Sequence, residues 1–172
     1  MAGVLATLRD NAIAVRDGLQ NGSILRGVLT PRKDDIMSFQ HQQLFEGKAS
    51  NGEDMRPYYS EDLQPRGYFR SKASAEAYTQ WKLTGIPYPY RANRNPDAPN
   101  LYINGKFHSE LDVFFLPSAI AIGAKTMYAD DIVAKYGIKS FGLSMVNWKA
   151  IFQEKGAYND VMDEIKKKLY NG

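Results

Sequence analysis

The chain has no cysteine, which excludes disulfide bonds, thiolate nucleophiles and Cys-ligated zinc or iron–sulfur sites. Long apolar runs are also missing. The longest uncharged one, residues 113–124, contains Pro117 and is much shorter than the roughly twenty residues that a membrane-spanning helix needs. The first ten residues place no basic residue ahead of the apolar ones, which argues against a secretory signal. We therefore expect no membrane-spanning segment and no secretory leader.

A strong excess of one charge is absent as well. Lys and Arg number 22 against 19 Asp and Glu, and the basic residues do not form the stripe that is typical of nucleic-acid binders. The densest cluster, Lys166–Lys168, falls at the end of a predicted helix, where cations complement the macrodipole, so we interpret it as a solvated helix end. With 172 residues, 44% of them apolar, the chain is predicted to form a single domain over 1–172.

Apolar residues recur at helical spacing in several stretches. The predicted helices cover 4–20, 31–45, 72–83, 128–136, 145–154 and 157–170. Ser71 and Ser144 are suited to cap the third and fifth of these. The residues expected to face the core are Val4, Leu8, Ala12, Val15, Leu19, Ile36, Phe39, Leu44, Ala73, Ala77, Tyr78, Trp81, Met145, Trp148, Ile151, Phe152, Tyr158, Val161, Ile165 and Leu169.

Strand signals are confined to the middle of the chain. Asn104-Gly105 is a strong hairpin signal, and residues 110–116 and 119–124 are predicted to pair as antiparallel strands around Pro117. A short strand is expected over 141–143. Stretches rich in glycine, proline and asparagine predict extended arms near 46–70 and 84–100 and a shorter one at 21–30.

Residues that carry chemistry are scarce. His41 lies in a polar run and His108 follows the hairpin signal, so both are predicted to be surface or turn histidines. Glu53 and Asp54 lie in a glycine-marked loop that lacks the spacing of a calcium loop. The P-loop pattern and the Gly-x-Ser-x-Gly elbow are absent from the sequence. We therefore predict no metal, no cofactor and no enzymatic activity.

Aromatic residues and arginines are concentrated in the predicted arms, a composition typical of protein–protein hot spots. The same composition can stack on single-stranded bases, so a nucleic-acid-binding module that uses these arms is the alternative. The interface candidates are Tyr58, Tyr59, Arg66, Tyr88, Tyr90, Arg91 and Arg94. A third hypothesis is a small enzyme that uses Asp130 or Asp131 with His108.

Five segments resemble the virion-morphogenesis proteins of tailed phages, also called tail-completion, neck, head–tail connector or minor capsid proteins. They are Leu101–Val113, Ala121–Gly137 with its Tyr-Gly ending, Ser140-Phe-Gly-Leu-Ser144, Gln43–Lys48 followed by Gly52–Tyr59, and Ser71–Trp81. The fourth is similar to neck-region proteins of crAss-like phages.

The resemblance implies long N- and C-terminal helices packed on a small antiparallel sheet, which, with extended loops or arms, is an α+β fold. It further implies a structural protein that is made in the host cytoplasm and assembles in the virion as a homo-oligomeric ring between portal or adaptor and tail. Its implied partners are other virion proteins, with non-specific contact to packaged DNA and none to a membrane.

Overall fold

A computed structural model describes residues 2–55, 71–84, 99, 101, 105–117, 119–126 and 129–170. Its helices are α1 (Ala2–Gln20), α2 (Ser23–Leu29), α3 (Lys33–Phe45), α4 (Lys72–Thr84), α5 (Lys106–Ser109), α6 (Ala129–Tyr136), α7 (Met145–Lys149) and α8 (Ala157–Tyr170). Its strands are β1 (Leu111–Phe115) and β2 (Ile120–Ala124). Short 3₁₀ turns cover Thr30–Arg32 and Ile138–Ser140, and α7 continues as a π-helical turn over Ala150–Glu154.

The predicted fold class is confirmed. The chain is mostly helical with a two-stranded antiparallel sheet, and the N- and C-terminal helices pack together. The turn between the strands closes where the Leu116 N–H donates to the Ala119 carbonyl at 2.9 Å. Both predicted serine caps are present, because Ser71 Oγ accepts from the Ser74 N–H and Ser144 Oγ accepts from the Asn147 N–H.

The chain divides into two compact units. The first comprises Met1–Ile36, Val113–Ala121 and Trp148–Gly172, and it contains α1, α2 and α8. There α1 packs against α2 and α8 through Val15 and Gly18, which are buried. Gly18 permits a close approach to Ile24, since a Cβ at this position would lie 3.0 Å from the Ile24 side chain. The Asn11 amide donates to the Leu169 carbonyl at 3.0 Å and joins the two terminal helices.

The second unit comprises Met37–Asp112 and Ile122–Asn147 and has its own apolar core. The buried members of this core are Leu44, Ala49, Met55, Phe107 and Leu111. Residues 46–55, the start of a predicted arm, form a compact turn with an antiparallel bridge between Lys48 and Asp54. The rest of that arm, 56–70, and nearly all of the arm at 84–100 lie outside the described residues.

Three local predictions are wrong. Residues 21–30 contain α2 (Ser23–Leu29) and are not an arm, because Ile24, Val28 and Leu29 form a buried helical stripe. Gly22, with a left-handed backbone, forms the turn that precedes this helix. Gly105 also has a left-handed backbone, with φ of 81°, but it opens the helical turn α5 instead of a hairpin. No strand forms over 141–143.

Several residues predicted to face the core are exposed. In α1 only Val15 of the described stripe is buried, while Leu8 and Leu19 are 44% and 43% exposed. The reason is that α1 contacts its neighbours along a narrow line. The other exposed members are Ala12, Ala73, Ala77, Trp81, Met145 and Tyr158. No helix in the described ranges is long and apolar enough to cross a membrane.

Candidate interaction surface

Two buried glutamines on α3 hold a segment that is about a hundred residues away in sequence. We call residues 138–146 the clamped segment. The Gln40 amide accepts from the Gly142 N–H at 3.0 Å and donates to the Ser140 carbonyl at 3.4 Å. The Gln43 amide donates to the Gly142 carbonyl at 2.9 Å and accepts from the Ser144 N–H at 2.8 Å. Each side chain thus donates to a main-chain carbonyl and accepts from a main-chain N–H, as a neighbouring β-strand would.

The position of the two glutamines follows from helix geometry. Residues three apart lie on the same face of a helix, so Gln40 and Gln43 reach neighbouring peptide groups. Both side chains are buried, and each uses its donor and its acceptor. A buried amide whose nitrogen and oxygen both have partners is stabilising, whereas one with an unpaired oxygen or nitrogen would be costly. The clamp therefore specifies one backbone conformation for the clamped segment.

The clamp also sets the start of α7. Gln43 Oε1 accepts a further hydrogen bond from Asn147 Nδ2 at 3.0 Å, next to the Ser144 cap. On the other side of the segment, the Ser50 N–H donates to the Lys139 carbonyl at 2.7 Å. The first turn of α7 is consequently held on a rigid base.

Large apolar side chains project from this rigid segment into solvent. Ile138, Met145 and Val146 are 71%, 69% and 74% exposed, within nine consecutive residues. Exposed apolar groups of this density on a fixed backbone are typical of a surface that another protein covers. The clamped segment carries one lysine, the exposed Lys139, and no acidic residue, so a partner surface of neutral or negative charge would fit it best.

The histidine prediction is wrong for His108, which is buried. Its ring stacks on Phe45 with centroids 4.6 Å apart and meets Phe107 edge-on. His41 is half-buried, and its Nε2 lies 2.9 Å from the His108 carbonyl. Because a carbonyl only accepts, Nε2 carries the proton and donates. These two contacts, the ring stacking and the hydrogen bond to the His108 carbonyl, hold α5 against α3.

The enzyme hypothesis needs an aspartate next to this buried histidine. Asp130 and Asp131 lie in the first turn of α6, and both are exposed. Within the described ranges no hydrogen bond or ion pair joins either carboxylate to His108. The pairing that the hypothesis requires is therefore not present in this part of the chain.

Among the described residues of the second unit, burial shifts the pKa of two side chains. Burial lowers the pKa of Lys135 below its usual 10.5, and its ammonium lies 5.2 Å from the centroid of the Tyr136 ring. Burial raises the pKa of Tyr78 to about 12. Both shifts disfavour the charged form of the group.

The first unit contains a groove of about 840 Å³ beside α2 and α8. Arg32 organises it: the guanidinium donates to the carbonyls of Val28 at 2.7 Å and Lys155 at 3.1 Å and pairs with the Asp160 carboxylate. Lys155 in turn pairs with Asp35 at 3.1 Å. Four basic and four acidic residues line the groove, so it lacks the single sign of charge that a phosphate backbone requires.

No metal site is evident in the part of the chain that the structure describes. In the described ranges, no three His, Asp or Glu side chains converge as metal ligands would. The loop that carries Glu53 and Asp54 uses its carboxylates internally. Asp54 pairs with Lys48 at 3.1 Å, and Glu53 accepts from the Asn51 amide.

The seven interface candidates predicted from the sequence, Tyr58, Tyr59, Arg66, Tyr88, Tyr90, Arg91 and Arg94, all lie outside the described residues and stay predictions. The nucleic-acid alternative depends on the same residues. Sequence reasoning missed the clamp. The only signal was the pair Gln40 and Gln43 at a spacing of three, within a polar run that indicated an exposed helix face.

Comparison with known proteins identifies no relative: no family model, no curated protein and no solved structure matches this chain.

Proposed function

We propose that this protein is a structural component of the head–tail junction of a tailed bacteriophage, where it assembles as a ring between portal or adaptor and tail. The observation that supports this most directly is the clamped segment, which presents Ile138, Met145 and Val146 on a backbone held by two buried glutamines. The phage assignment itself comes from the resemblance of the sequence segments described above.

The energetics favour a contact surface. Covering one large apolar side chain contributes about 1–2 kcal/mol, so the three side chains together would supply a substantial part of an interface. A rigid backbone adds to this, because little conformational entropy is lost when a preorganised surface binds. Buried polar side chains that support exposed apolar ones are therefore what a docking element needs.

A ring needs a particular type of contact. A surface that meets a different surface on the next copy makes a heterologous interface, which closes into a cyclic assembly or extends as a filament. The resemblance to connector and neck proteins adds the expectation that the assembly closes.

Native mass spectrometry of the purified protein tests the assembly. We expect the wild-type protein to show a closed oligomer of defined stoichiometry larger than a dimer. Val146→Asp places a charge in the clamped segment and should shift the protein towards monomers. Leu116→Asp makes the same kind of change at an exposed leucine of the strand turn and should leave the oligomer intact. A wild-type protein that remains monomeric at all concentrations contradicts the proposal.

The location in the virion needs a separate test. Antibodies raised against the purified protein should label the junction between capsid and tail in electron micrographs of the phage that encodes it. Labelling of the capsid shell or tail tip, or none at all on virions, would refute the assignment to the neck.

A further inference from the structure

Helix α1 exposes most of its surface. Among the side chains described in it, residues 6–20, only Val15 and Gly18 are buried and Asn11 is half-buried. All others are exposed, including the large apolar Leu8 and Leu19. A helix of this length usually owes its stability to tertiary packing of an apolar face. Most of α1 is thus available to a partner.

Eight of the exposed residues form two flanks of opposite character. Val15 and Gly18 mark the buried line of α1. At about 100° per residue, one side of this line carries Leu8, Arg9, Arg16 and Leu19, which we call the basic flank. Thr7, Asp10, Ala14 and Asp17 fall on the other side, roughly opposite, and form the acidic flank. One flank carries bulky leucines and cations, and the other carries small residues and anions.

The arginines of one flank and the aspartates of the other also lie at nearly the same positions along the helix axis. Arg9 adjoins Asp10, and Arg16 adjoins Asp17 seven residues later, about 10 Å further along the axis. Within the isolated chain these neighbours form ion pairs of 3.2 and 2.8 Å that are more than half exposed and contribute little to stability. A parallel copy of α1 would bring both arginines of its basic flank level with both aspartates of the acidic flank.

We propose that α1 of one copy packs parallel to α1 of the next, basic flank against acidic flank. The occupant of each flank is a second copy of this chain, because the two flanks complement each other in charge and in side-chain size. A two-fold contact would instead set arginine against arginine, which is repulsive. The contact is heterologous: an open chain of copies keeps one free flank of each kind at its two ends, and a ring closes when these two flanks meet. This inference rests on the proposed function and names a second surface, besides the clamped segment, at which neighbouring copies join.

Charge reversal tests the contact in two separately purified variants. Arg9→Asp with Arg16→Asp makes both flanks acidic, and Asp10→Arg with Asp17→Arg makes both flanks basic. Each variant alone should need at least about tenfold more protein for half-assembly, because every contact then sets like charges together. Circular dichroism should show unchanged helix content, since all four positions are exposed.

Mixing provides the decisive measurement. Equal amounts of the two variants should regain assembly in native mass spectra, with the two masses in equal numbers if the ring has an even number of copies and differing by one if the number is odd. A single chain that carries all four changes has its flanks exchanged and should assemble by itself. Failure of the mixture to assemble, with both variants folded, overturns the α1 contact.

The outcomes separate the two proposals. If the wild-type protein forms the ring and both double variants form it equally well, the α1 contact is wrong while the ring stands. If the wild-type protein forms no oligomer, the ring and the α1 contact both fall.

Discussion

Replacing Gln43 with methionine removes the hydrogen bonds that Gln43 contributes to the clamp, while those of Gln40 and the length of the side chain are kept. Three hydrogen bonds are lost: those with the Gly142 carbonyl, the Ser144 N–H and the Asn147 amide. Each contributes about 0.5–1.5 kcal/mol net, and a backbone group left unpaired in a partly buried site adds to the loss. We therefore expect the free energy of unfolding to fall by about 2–4 kcal/mol.

Equilibrium urea unfolding measures this loss, and the adjacent glutamine supplies the control. Gln42 is exposed, and its amide donates to the Glu46 side chain at 3.2 Å, so Gln42→Met should change the stability by less than about 0.5 kcal/mol. Thermal unfolding should agree, at about 2–4 °C in Tm for each kcal/mol. Hydrogen exchange at the Ser144 amide should accelerate in Gln43→Met alone.

The reasoning is refuted by one clear result. If Gln43→Met destabilises the protein no more than Gln42→Met does, the buried amide does not hold the clamped segment. Faster exchange throughout the chain, without a preferential effect at Ser144, would likewise show that the loss is global and that the clamp has no local role.

Two further predictions concern charged groups. Arg32→Met should lower the free energy of unfolding by about 1–3 kcal/mol in urea titrations, because the carbonyls of Val28 and Lys155 and the Asp160 carboxylate lose their donor. Arg32→Lys, which keeps the charge without the planar fork, should lose less than Arg32→Met; a Lys variant as stable as the wild type would show that the fork is unimportant. For Lys135, the lowered pKa means that the unfolded chain binds this proton more readily. Stability should rise with pH from the lowered pKa up to 10.5. Lys135→Met should reduce that slope in the pH range just below 10.5, and an unchanged slope would contradict the assignment.

Local signals in the sequence determined most of the secondary structure. Helical periodicity located α1, α4, α6 and α8 to within a few residues, and the serine caps marked the starts of α4 and α7. The pair of strands followed from apolar residues on either side of a proline turn. These features depend on residues close together in the chain, so a sequence pattern is sufficient to find them.

Burial and the clamp were decided by tertiary structure. Leu8 and Val15 share one stripe of α1, yet only Val15 is covered, because coverage depends on where another helix happens to pack. Gln40 and Gln43 have the composition of a solvent-exposed helix face, but their backbone partners lie 99–102 residues further along the chain. Sequence periodicity does not reveal such partners. In the sequence, a glutamine that will be buried is the same as one that will be exposed, and only the fold brings up the backbone groups that bind its amide.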